Sequence, residues 1–461
     1  MGPGRTWAPE TCWKGRHYDW NVRGDSLRAL GLLGAFLGVA LAACTGTAGD
    51  GASNGLGSDG GTGGDAGSGS DGGDGGRPDG GSPDAGDAFL PWENPPQVYA
   101  RFSHGPPSDP SFFPIAVWLQ SPSNARAYAD IGINTFIGLY QGPTDAQLAV
   151  LADAGVPALC DQAGVYASHL GDATIHGWTQ QDEPDNAQPD GQGGYGPCID
   201  PTVIQGIYAS FKANDPTRPV YLNLGQGVAW EGWYGRGSAC AGRLDMYPQY
   251  ELGADIVSFD IYPLNETDAS VKGHLWLVAV GVDRLRQGSN YSKPVWNWIE
   301  TTGIDDPAST PTPAQIRAEV WMSLVHGSAG IGYFAHIFSP SFIEAGLLSE
   351  PAVKAGVKAI NAEVTSLAPV LNTPSIGNAA TVASQNGAVP VDVMVKRQAG
   401  ALYVFAVAMR PGATHATFTL RGVDGGTATV IGESRTRAVV GGSFEDDFAA
   451  DYAVHLYRVT F

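Results

Sequence analysis

Two glutamates stand at the ends of apolar runs, where a carboxyl group can act on a bound molecule. Glu183 follows the run TIHGW in the stretch GWTQQDEPD (177–185), and Glu300 ends the run VWNWIE. A pair of carboxyl groups can divide one reaction, because one gives a proton while the other attacks carbon or activates water. These two side chains are the candidate catalytic residues, provided that the fold brings them together.

Eight short apolar runs alternate with amphipathic segments, which is typical of repeated βα units. The runs cover 113–119, 134–140, 156–161, 174–184, 219–225, 255–264, 293–301 and 330–338. Eight strands, each with its helix, over about 260 residues match the count and size of a TIM (β/α)8 barrel. We therefore predict an α/β fold with a barrel over residues 89–374. A doubly wound open sheet is the alternative, but no phosphate-cradling glycine loop follows the first run.

In such a barrel the active site lies at the carboxyl ends of the strands, so Glu183 and Glu300 would face each other across the mouth. That carboxyl pair is the minimum needed to break a glycosidic bond. Strand alternation places Trp298 just beneath Glu300, as a candidate contact for the substrate. The acids around Glu183 also fit a solvated helix entry capped by Asp185, and Glu300 also fits a solvated loop.

A Glu-Pro at the end of the fourth strand and a Glu at the end of the seventh resemble clan A of the glycoside hydrolases. The barrels of that clan act by double displacement with retention. The resemblance covers residues 113–370 and implies that Glu183 is the acid/base and Glu300 the nucleophile. Tyr262 in FDIYPL is similar to the clan's tyrosine that bonds the nucleophile, although a packing role is equally open. The resemblance also implies an aromatic sugar platform on the eighth strand, a part that suits Tyr333 or His336.

Asp182 departs from the clan, which normally has an Asn before the acid/base to donate to the sugar 2-hydroxyl. An ionised Asp accepts hydrogen bonds but has no amide N–H to donate. Asp182 is therefore predicted to contact the substrate in a different way, and the subfamily stays open.

Other aromatic side chains near strand ends predict a surface for sugar rings. Trp118 ends the first strand, and Trp230 and Trp233 follow the fifth in AWEGWY (229–234). Glu231 in the same loop is a rival acid, ranked below the two strand-end acids. The nine His show no metal-ligand spacing, so neither a metal nor a cofactor is expected.

After residue 374 the pattern changes to short alternating runs separated by glycine-containing turns. This pattern predicts a small antiparallel β-sandwich over residues 375–461. No motif there carries chemistry, so packing against the barrel is favoured over carbohydrate binding.

The pattern of the first 88 residues predicts that the protein is exported from the cytoplasm. RALGLLGAFLGVALAAC (28–44) has a basic lead-in and an apolar run too short for a comfortable membrane span. Its ending resembles the bacterial lipobox, which implies a signal peptide over 1–44 and lipidation of Cys44. A transmembrane anchor is the alternative, and the residues before 22 fit a start codon assigned too early. Residues 45–88, with 18 glycines, predict a disordered linker.

The net charge of the chain limits the partners that it can bind, and the positions of its cysteines indicate which of them pair. The net charge of −20 argues against nucleic acid as a partner, because phosphates demand basic patches. In an oxidising compartment Cys198 and Cys240, both in polar loops, are predicted to form a disulfide, while Cys160 fits a buried thiol.

The sequence thus predicts a monomeric lipoprotein, exported and lipid-anchored to the bacterial cell envelope or surface. Its barrel is predicted to hydrolyse a β-linked glycan with retention. A barrel that binds glycan without cleaving it, and an inverting glycosidase, are the alternatives.

Overall fold

A computed structural model describes residues 86–461, apart from residues 163, 193, 234–239 and 241. The predicted signal peptide, the lipidation site Cys44 and nearly all of the predicted linker lie outside these residues. Among the described helices, none is long and apolar enough to cross a membrane. The described chain begins against the C-terminal domain, where Asp87 forms ion pairs with Arg397 and Arg421 at 3.1 and 3.2 Å. The last three residues of the predicted linker, 86–88, are thus attached to the folded part.

Eight parallel strands close into a barrel in chain order, and the last strand pairs with the first. The strands are β1 (Ile115–Trp118), β2 (Thr135–Ile137), β3 (Ala158–Cys160), β4 (Ile175–Thr179), β5 (Val220–Leu224), β6 (Ile256–Asp260), β7 (Val295–Glu300) and β8 (Gly330–Phe334). Each predicted run contains one of these strands, so the predicted TIM barrel is confirmed. The carboxyl ends of all eight strands surround one opening, which we call the mouth.

In the described part of the chain, nine α-helices accompany these strands. They are α1 (Pro95–Tyr99), α2 (Ala125–Ala129), α3 (Asp145–Ala154), α4 (Pro201–Asn214), α5 (Tyr247–Glu251), α6 (Leu277–Gly288), α7 (Pro313–Val325), α8 (Gly346–Ser349) and α9 (Pro351–Leu371). Sequence signals set several helix starts. Thr144 with Gln147 forms a capping box at α3, and Thr312 with Gln315 forms one at α7, which satisfies backbone N–H groups that lack helical partners.

Large and small side chains face each other inside the barrel at β7 and β8. Trp296 and Trp298 are buried and pair in register with Gly330 and Gly332. A Cβ atom at Gly330 would lie 2.8 Å from the Trp296 ring, and one at Gly332 would lie 2.4 Å from the Trp298 ring. Because only glycine leaves room for the two indoles, the sequences WNW and GIG fit each other across the interior.

The connection from β3 to β4 departs from the expectation that each strand is followed by a helix. Between residues 161 and 174 the described residues form only turns and one short 3-10 helix, Tyr166–Ser168. In place of a helix, the fully buried side chain of Arg218 holds this segment. Its guanidinium pairs with Asp215 at 2.6 Å. It also donates to four backbone carbonyls along the connection, those of His169, Leu170, Asp172 and Ile175.

We expect Arg218→Met to lower the free energy of unfolding by about 3–5 kcal/mol, because it leaves Asp215 as an unpaired buried charge. The matched control is Arg126, whose ion pair with Asp153 has side chains 70% and 76% exposed. Arg126→Met should cost less than about 1 kcal/mol. Urea unfolding of both variants measures the difference, and similar small losses would contradict the role given to Arg218.

Eight antiparallel strands form the C-terminal domain. They are β9 (Ala380–Ser384), β10 (Val391–Gln398), β11 (Ala401–Ala408), β12 (Thr414–Leu420), β13 (Gly425–Val430), β14 (Arg435–Val440), β15 (Ser443–Phe448) and β16 (Val454–Thr460). They are hydrogen-bonded in the order β10-β11-β16-β13-β14-β15-β12-β9. The edge strands β9 and β10 also contact each other, so the sheet curves around a core that includes Phe418, Phe444 and Tyr457. The predicted antiparallel β-domain is confirmed, and its strands belong to one continuous sheet.

This domain packs on the barrel helices α7 and α9. Phe405 of β11 lies against Trp321 of α7, with ring centroids 5.1 Å apart. Arg317 of α7 donates to the carbonyl of Val454 at 3.0 Å. A single hydrophobic core contains side chains from both parts. The sheet therefore supports the barrel from its helical side.

Candidate active site

Three partly exposed carboxyl side chains meet at the mouth of the barrel: Asp182 and Glu183 follow β4, and Asp260 ends β6. We call them the acidic cluster. Asn223, on the intervening strand β5, donates from Nδ2 to Asp182 at 3.0 Å and to Asp260 at 3.2 Å. The two accepting oxygens therefore lie within about 6 Å of each other, bridged by one amide.

The backbone of Glu183 is held in the left-handed region, at a φ of 43°, where non-glycine residues are uncommon. Its N–H donates to the carbonyl of Asn223 at 3.1 Å, and its own carbonyl accepts from the N–H of Asn186 at 3.1 Å. Such a conformation costs about 1–3 kcal/mol, and it is found mainly at functional sites where the surroundings impose it. The strain therefore marks Glu183 as a residue whose position matters.

The carboxyl group of Glu183 is oriented by a second amide. Asn186 Nδ2 donates to Glu183 Oε2 at 2.8 Å, and Trp233 Nε1 donates to Asn186 Oδ1 at 2.6 Å. Because an indole N–H can only donate, the Asn186 oxygen must face Trp233 and its nitrogen must face Glu183. Trp233, predicted as a wall for sugar rings, is buried and acts through Asn186. Trp230 is partly buried and packs against Trp233, with centroids 6.0 Å apart.

The loops that carry these residues are covalently joined. Cys198, in the loop after β4, is bonded to Cys240, in the loop after β5. Cys160 is a free buried thiol in β3. The disulfide limits how far the segment of Asn186 can move from the segment of Trp233.

A directional chain of hydrogen bonds fixes Asn223 from inside the barrel. Trp298 Nε1 donates to the Tyr221 hydroxyl at 3.0 Å, and Ser258 Oγ donates to Asn223 Oδ1 at 2.7 Å. The Tyr221 and Ser258 hydroxyls bond each other. Because the single hydroxyl hydrogen of Ser258 is directed to Asn223, Tyr221 accepts from the indole and donates to Ser258, and the Asn223 oxygen is the final acceptor. The amide nitrogen of Asn223 is thereby turned toward the two acids.

Burial raises the pKa of Asp260 well above its usual range, and the nearby charges of Glu183 and Asp182 raise it further. The hydrogen bond from Asn223 acts in the opposite direction, because it favours the ionised form. In the described residues, no group of three or more His, Cys, Asp or Glu is arranged to hold a metal ion. The cluster is thus a set of mutually repelling carboxyl groups held together by neutral donors.

Asp185 lies behind the acidic cluster. It does not cap a helix, which was the alternative interpretation of this stretch of sequence. Its oxygens accept from the backbone N–H of Gly225 at 2.9 and 3.1 Å and from the Tyr247 hydroxyl at 3.3 Å. The next helix, α4, is capped by Asp200. Burial raises the pKa of Asp185 to about 7. Its role is to join the loop after β4 to the loop after β5.

Glu300 ends β7 as predicted, but its carboxyl is fully buried beneath the loop after β6. Its oxygens accept from the backbone N–H groups of Leu264 at 2.7 Å and Asn265 at 3.0 Å. On its other side lies the buried Glu319 of α7, whose oxygens receive no hydrogen bond from other described donors. Burial raises the pKa of both acids, and the charge of Glu300 raises the pKa of Glu319 further. The loop after β6 therefore covers the carboxyl group of Glu300, whereas the acidic cluster is partly exposed.

Of the aromatic side chains predicted to contact a substrate, some lie at the mouth and others are buried in the core. Trp118 is partly exposed and meets the edge of Trp298 with centroids 5.2 Å apart. Trp298 is 2% exposed, so it supports the mouth from below instead of touching a substrate. Tyr262 follows β6 and packs on Phe334 at 5.1 Å. The predicted bond from Tyr262 to Glu300 is replaced by the backbone donors of the loop after β6.

On β8 the structure turns Tyr333 away from the mouth. Its buried hydroxyl donates to Asn361 of α9 at 2.7 Å, so it is not a sugar platform. Phe334, the next residue, faces the mouth, as alternation from Gly330 and Gly332 indicates. His336 is 2% exposed and lies 3.2 Å from the amide nitrogen of Gln120. Sequence reasoning therefore missed Phe334, together with Asn186 and Asn223, which no motif marks.

Comparisons with known proteins show no family for this chain. The sequence matches no protein-family profile and no curated protein. Solved structures resemble it over most of their length. An α-amylase from Geobacillus thermoleovorans in complex with acarbose has 10% identity and a TM-score of 0.46, over 76% of this chain and 98% of that chain.

Two other solved structures have similar sequence identities and TM-scores. A family 30 endoxylanase from Clostridium papyrosolvens has 13% identity and a TM-score of 0.42, over 76% of this chain and 96% of its own. A putative α-galactosidase from Bacteroides fragilis has 11% identity and a TM-score of 0.47, over 76% and 80%. At these identities the activities of the neighbours do not transfer to this chain.

The buried pair Glu300–Glu319 predicts a particular dependence of stability on pH. In the unfolded chain a glutamic acid ionises near pH 4.5, whereas in the folded protein Glu319 keeps its proton to a higher pH. The folded state then binds more protons, so stability falls as pH rises above about 4.5. We expect Glu319→Gln to remove part of this fall in stability at high pH. A glutamine has no proton to lose on unfolding, and its amide can still donate to Glu300.

Chemical denaturation at pH 5 and pH 8 measures the effect. Relative to the parent, Glu319→Gln should gain more free energy of unfolding at pH 8 than at pH 5. Glu231→Gln is the matched control, because that side chain is 63% exposed and its partner Arg284 stays charged at both pH values. Equal pH dependence in the parent and in Glu319→Gln would refute a proton shared in this pair.

Proposed function

We propose that this chain is a glycoside hydrolase that cleaves β-linked oligo- or polysaccharides by double displacement with retention. The observation that carries the proposal is the acidic cluster, in which Glu183 sits in a strained turn at the barrel mouth beside Asp260. A pair of carboxyl groups at this place can provide both the acid and the nucleophile for glycosidic cleavage. The β-linkage and the retention rest on the resemblance of Glu183-Pro184 to clan A.

In the first step Glu183 donates its proton to the glycosidic oxygen, and a carboxylate attacks the anomeric carbon. The bond from that carbon to the leaving oxygen breaks as an ester bond to the enzyme forms. In the second step Glu183, now ionised, takes a proton from water, and the water oxygen attacks the same carbon and releases the carboxylate. No cofactor takes part in either step.

We assign the attacking carboxylate to Asp260 instead of Glu300. Asp260 is partly exposed in the same cluster as Glu183, and the charge of Glu183 acts on it directly. Glu300, the nucleophile expected from the sequence, is sealed by the N–H groups of Leu264 and Asn265. For Glu300 to reach a sugar, the loop after β6 would have to release it.

Asp182 fits a substrate contact in which the sugar donates the hydrogen bond. One of its oxygens accepts from Asn223, so the carboxylate is anchored and an ionised Asp has further lone pairs for a hydroxyl donor. A sugar 2-hydroxyl would thus give its proton to Asp182, the reverse of the contact that an Asn in the clan makes. Trp118 and Phe334 supply aromatic surface at the mouth.

The proposal includes the setting of the enzyme. The lipobox-like Leu-Ala-Ala-Cys ending at Cys44 supports export and lipid anchoring to the cell envelope, with the barrel carried as a monomer on the glycine-rich segment. From such a position the substrate is a glycan outside the cytoplasm.

A screen against β-glucans, mannans, galactans and xylans tests the activity. We expect the parent to release reducing ends from one of these classes, and Glu183→Gln to lower kcat/KM at least about a hundredfold, because general acid catalysis contributes about 10²–10⁴-fold. Asp260→Asn should abolish turnover, whereas Glu300→Gln should retain most of it. The reverse order of the last two variants would restore Glu300 as the nucleophile.

Two other outcomes would overturn the proposal itself. Following the first anomer released by NMR separates retention from inversion, and net inversion would exclude the covalent intermediate. Binding of a glycan without any release of reducing ends would make the barrel a binding protein. Trp321→Phe, which changes a buried ring packed against Phe405 of the C-terminal sheet, controls for general damage to the fold.

The charge of Asp182 predicts a shift in the pH profile. Because Asp182 raises the pKa of Asp260, Asp182→Asn should let Asp260 ionise at lower pH. If Asp260 must be ionised to attack, the acid limb of the kcat/KM profile moves to lower pH in this variant. Initial rates across pH on a small chromogenic glycoside measure the limb, and an unmoved limb would show that Asp260 does not set it.

A further inference from the structure

A row of rings leads from the acidic cluster to the outer rim of the mouth. Ring centroids lie 5.1 Å apart for Tyr262 and Phe334, 6.2 Å for Phe334 and Phe338, and 5.6 Å for Phe338 and Phe342. Exposure rises outward, from 7% at Tyr262 to 45% at Phe342. We call these four side chains the aromatic track.

The track begins at the proposed catalytic site. Tyr262 comes two residues after Asp260. Burial raises the pKa of its hydroxyl well above the usual range, and the nearby charges of Asp260 and Glu183 raise it further. A molecule whose reacting bond lies at the acidic cluster can therefore extend directly over Tyr262 and Phe334. The track is continuous with the proposed site.

The outer part of the track is built as a preformed surface. Ile337 and Ile343 exchange backbone hydrogen bonds of 3.0 and 2.8 Å, which makes the segment between them a small hairpin. The N–H of Phe338 also donates to the carbonyl of Ile304 at 2.6 Å. His336 stacks against both Phe338 and Phe342, with centroids 5.9 Å apart in each case. The rings are held in place from beneath and from the side.

The tip of this hairpin presents apolar surface to solvent. Phe342 is 45% exposed and its neighbour Ile343 is 40% exposed. Adjoining exposed apolar side chains next to a cleft are typical of ligand-binding grooves. The apolar C–H face of a pyranose ring stacks on such rings, while its hydroxyl groups stay in water or reach polar neighbours.

We propose that the aromatic track binds consecutive sugar units of one glycan chain on the β8 side of the acidic cluster. This inference rests on the proposed function and specifies its substrate: a chain of several sugar units extends from the cleaved bond out to Phe342. A substrate that ends at the acidic cluster would not reach Phe338 and Phe342.

Binding and turnover are measured separately in the full chain. For binding, β-linked hexasaccharides of glucose, mannose, xylose and galactose are titrated into Glu183→Gln with and without Phe342→Ala. We expect Phe342→Ala to weaken the binding of a hexasaccharide about tenfold, the size of a typical aromatic contact loss. For turnover, Phe342→Ala should lower kcat/KM on the same hexasaccharide to a similar degree and leave a small aryl glycoside within about twofold of the parent.

Two variants serve as controls. Phe342→Trp should retain hexasaccharide binding because it keeps a ring at the tip. Leu170→Ala should change nothing, since Leu170 is 44% exposed in the connection between β3 and β4 and its carbonyl is held by Arg218 away from the mouth.

The outcomes distinguish this inference from the proposed function. Hydrolysis in the parent with no effect of Phe342→Ala on the hexasaccharide would refute the track and leave the hydrolase standing. Hexasaccharide binding that depends on Phe342, without hydrolysis in the parent, would refute the hydrolase and leave the track standing. Failure of all four hexasaccharides to bind, or self-association of the parent that Phe342→Ala abolishes, would refute the track.

Discussion

The candidate site depends on one amide, that of Asn223, which holds Asp182 and Asp260 together. Two ionised carboxylates this close repel each other, and burial makes the repulsion stronger than it would be in water. Asn223 offsets part of this cost because its nitrogen donates to both. Its orientation is set from inside the barrel by Trp298, Tyr221 and Ser258. Trp298, which the sequence places beneath Glu300, is therefore part of the candidate site although it is buried.

The strain and repulsion at the candidate site also explain why several contacts join the loops around it. Glu183 keeps its left-handed backbone only if its neighbours prevent relaxation, and Asn186, Trp233, Asp185 and the disulfide all join the loop after β4 to the loop after β5. The C-terminal sheet adds support on the other side by packing on α7, the helix that also carries Glu319. Stability supplied by these contacts offsets the strain and repulsion stored at the mouth.

Most of the barrel was open to prediction from sequence because each strand is a local apolar run and each helix start has its own cap. The position of Glu183 followed from the same reasoning. Alternation along β8 also carries the signal that distinguishes Phe334 from Tyr333, but our sequence prediction did not apply it. The burial of Glu300 was not predictable, because it depends on N–H groups from the loop after β6 and on Glu319 of α7, which are distant in the chain. The roles of Asn186 and Asn223 were equally hidden, since a lone Asn has no motif and its meaning comes from the groups that face it.

Asp182 acquires a physical meaning from this arrangement. The amide that the clan places immediately before its acid/base has a counterpart here on the neighbouring strand, where Asn223 directs its nitrogen to the acids. A substrate then meets carboxylate oxygens where a clan enzyme offers an amide N–H, so the site selects groups that donate hydrogen bonds. Hydroxyl-rich sugars satisfy this demand, whereas a carboxylate-bearing sugar at the same position would bring a further negative charge next to three carboxyl groups. The charge pattern of the mouth thus argues for neutral sugar units next to the cleaved bond.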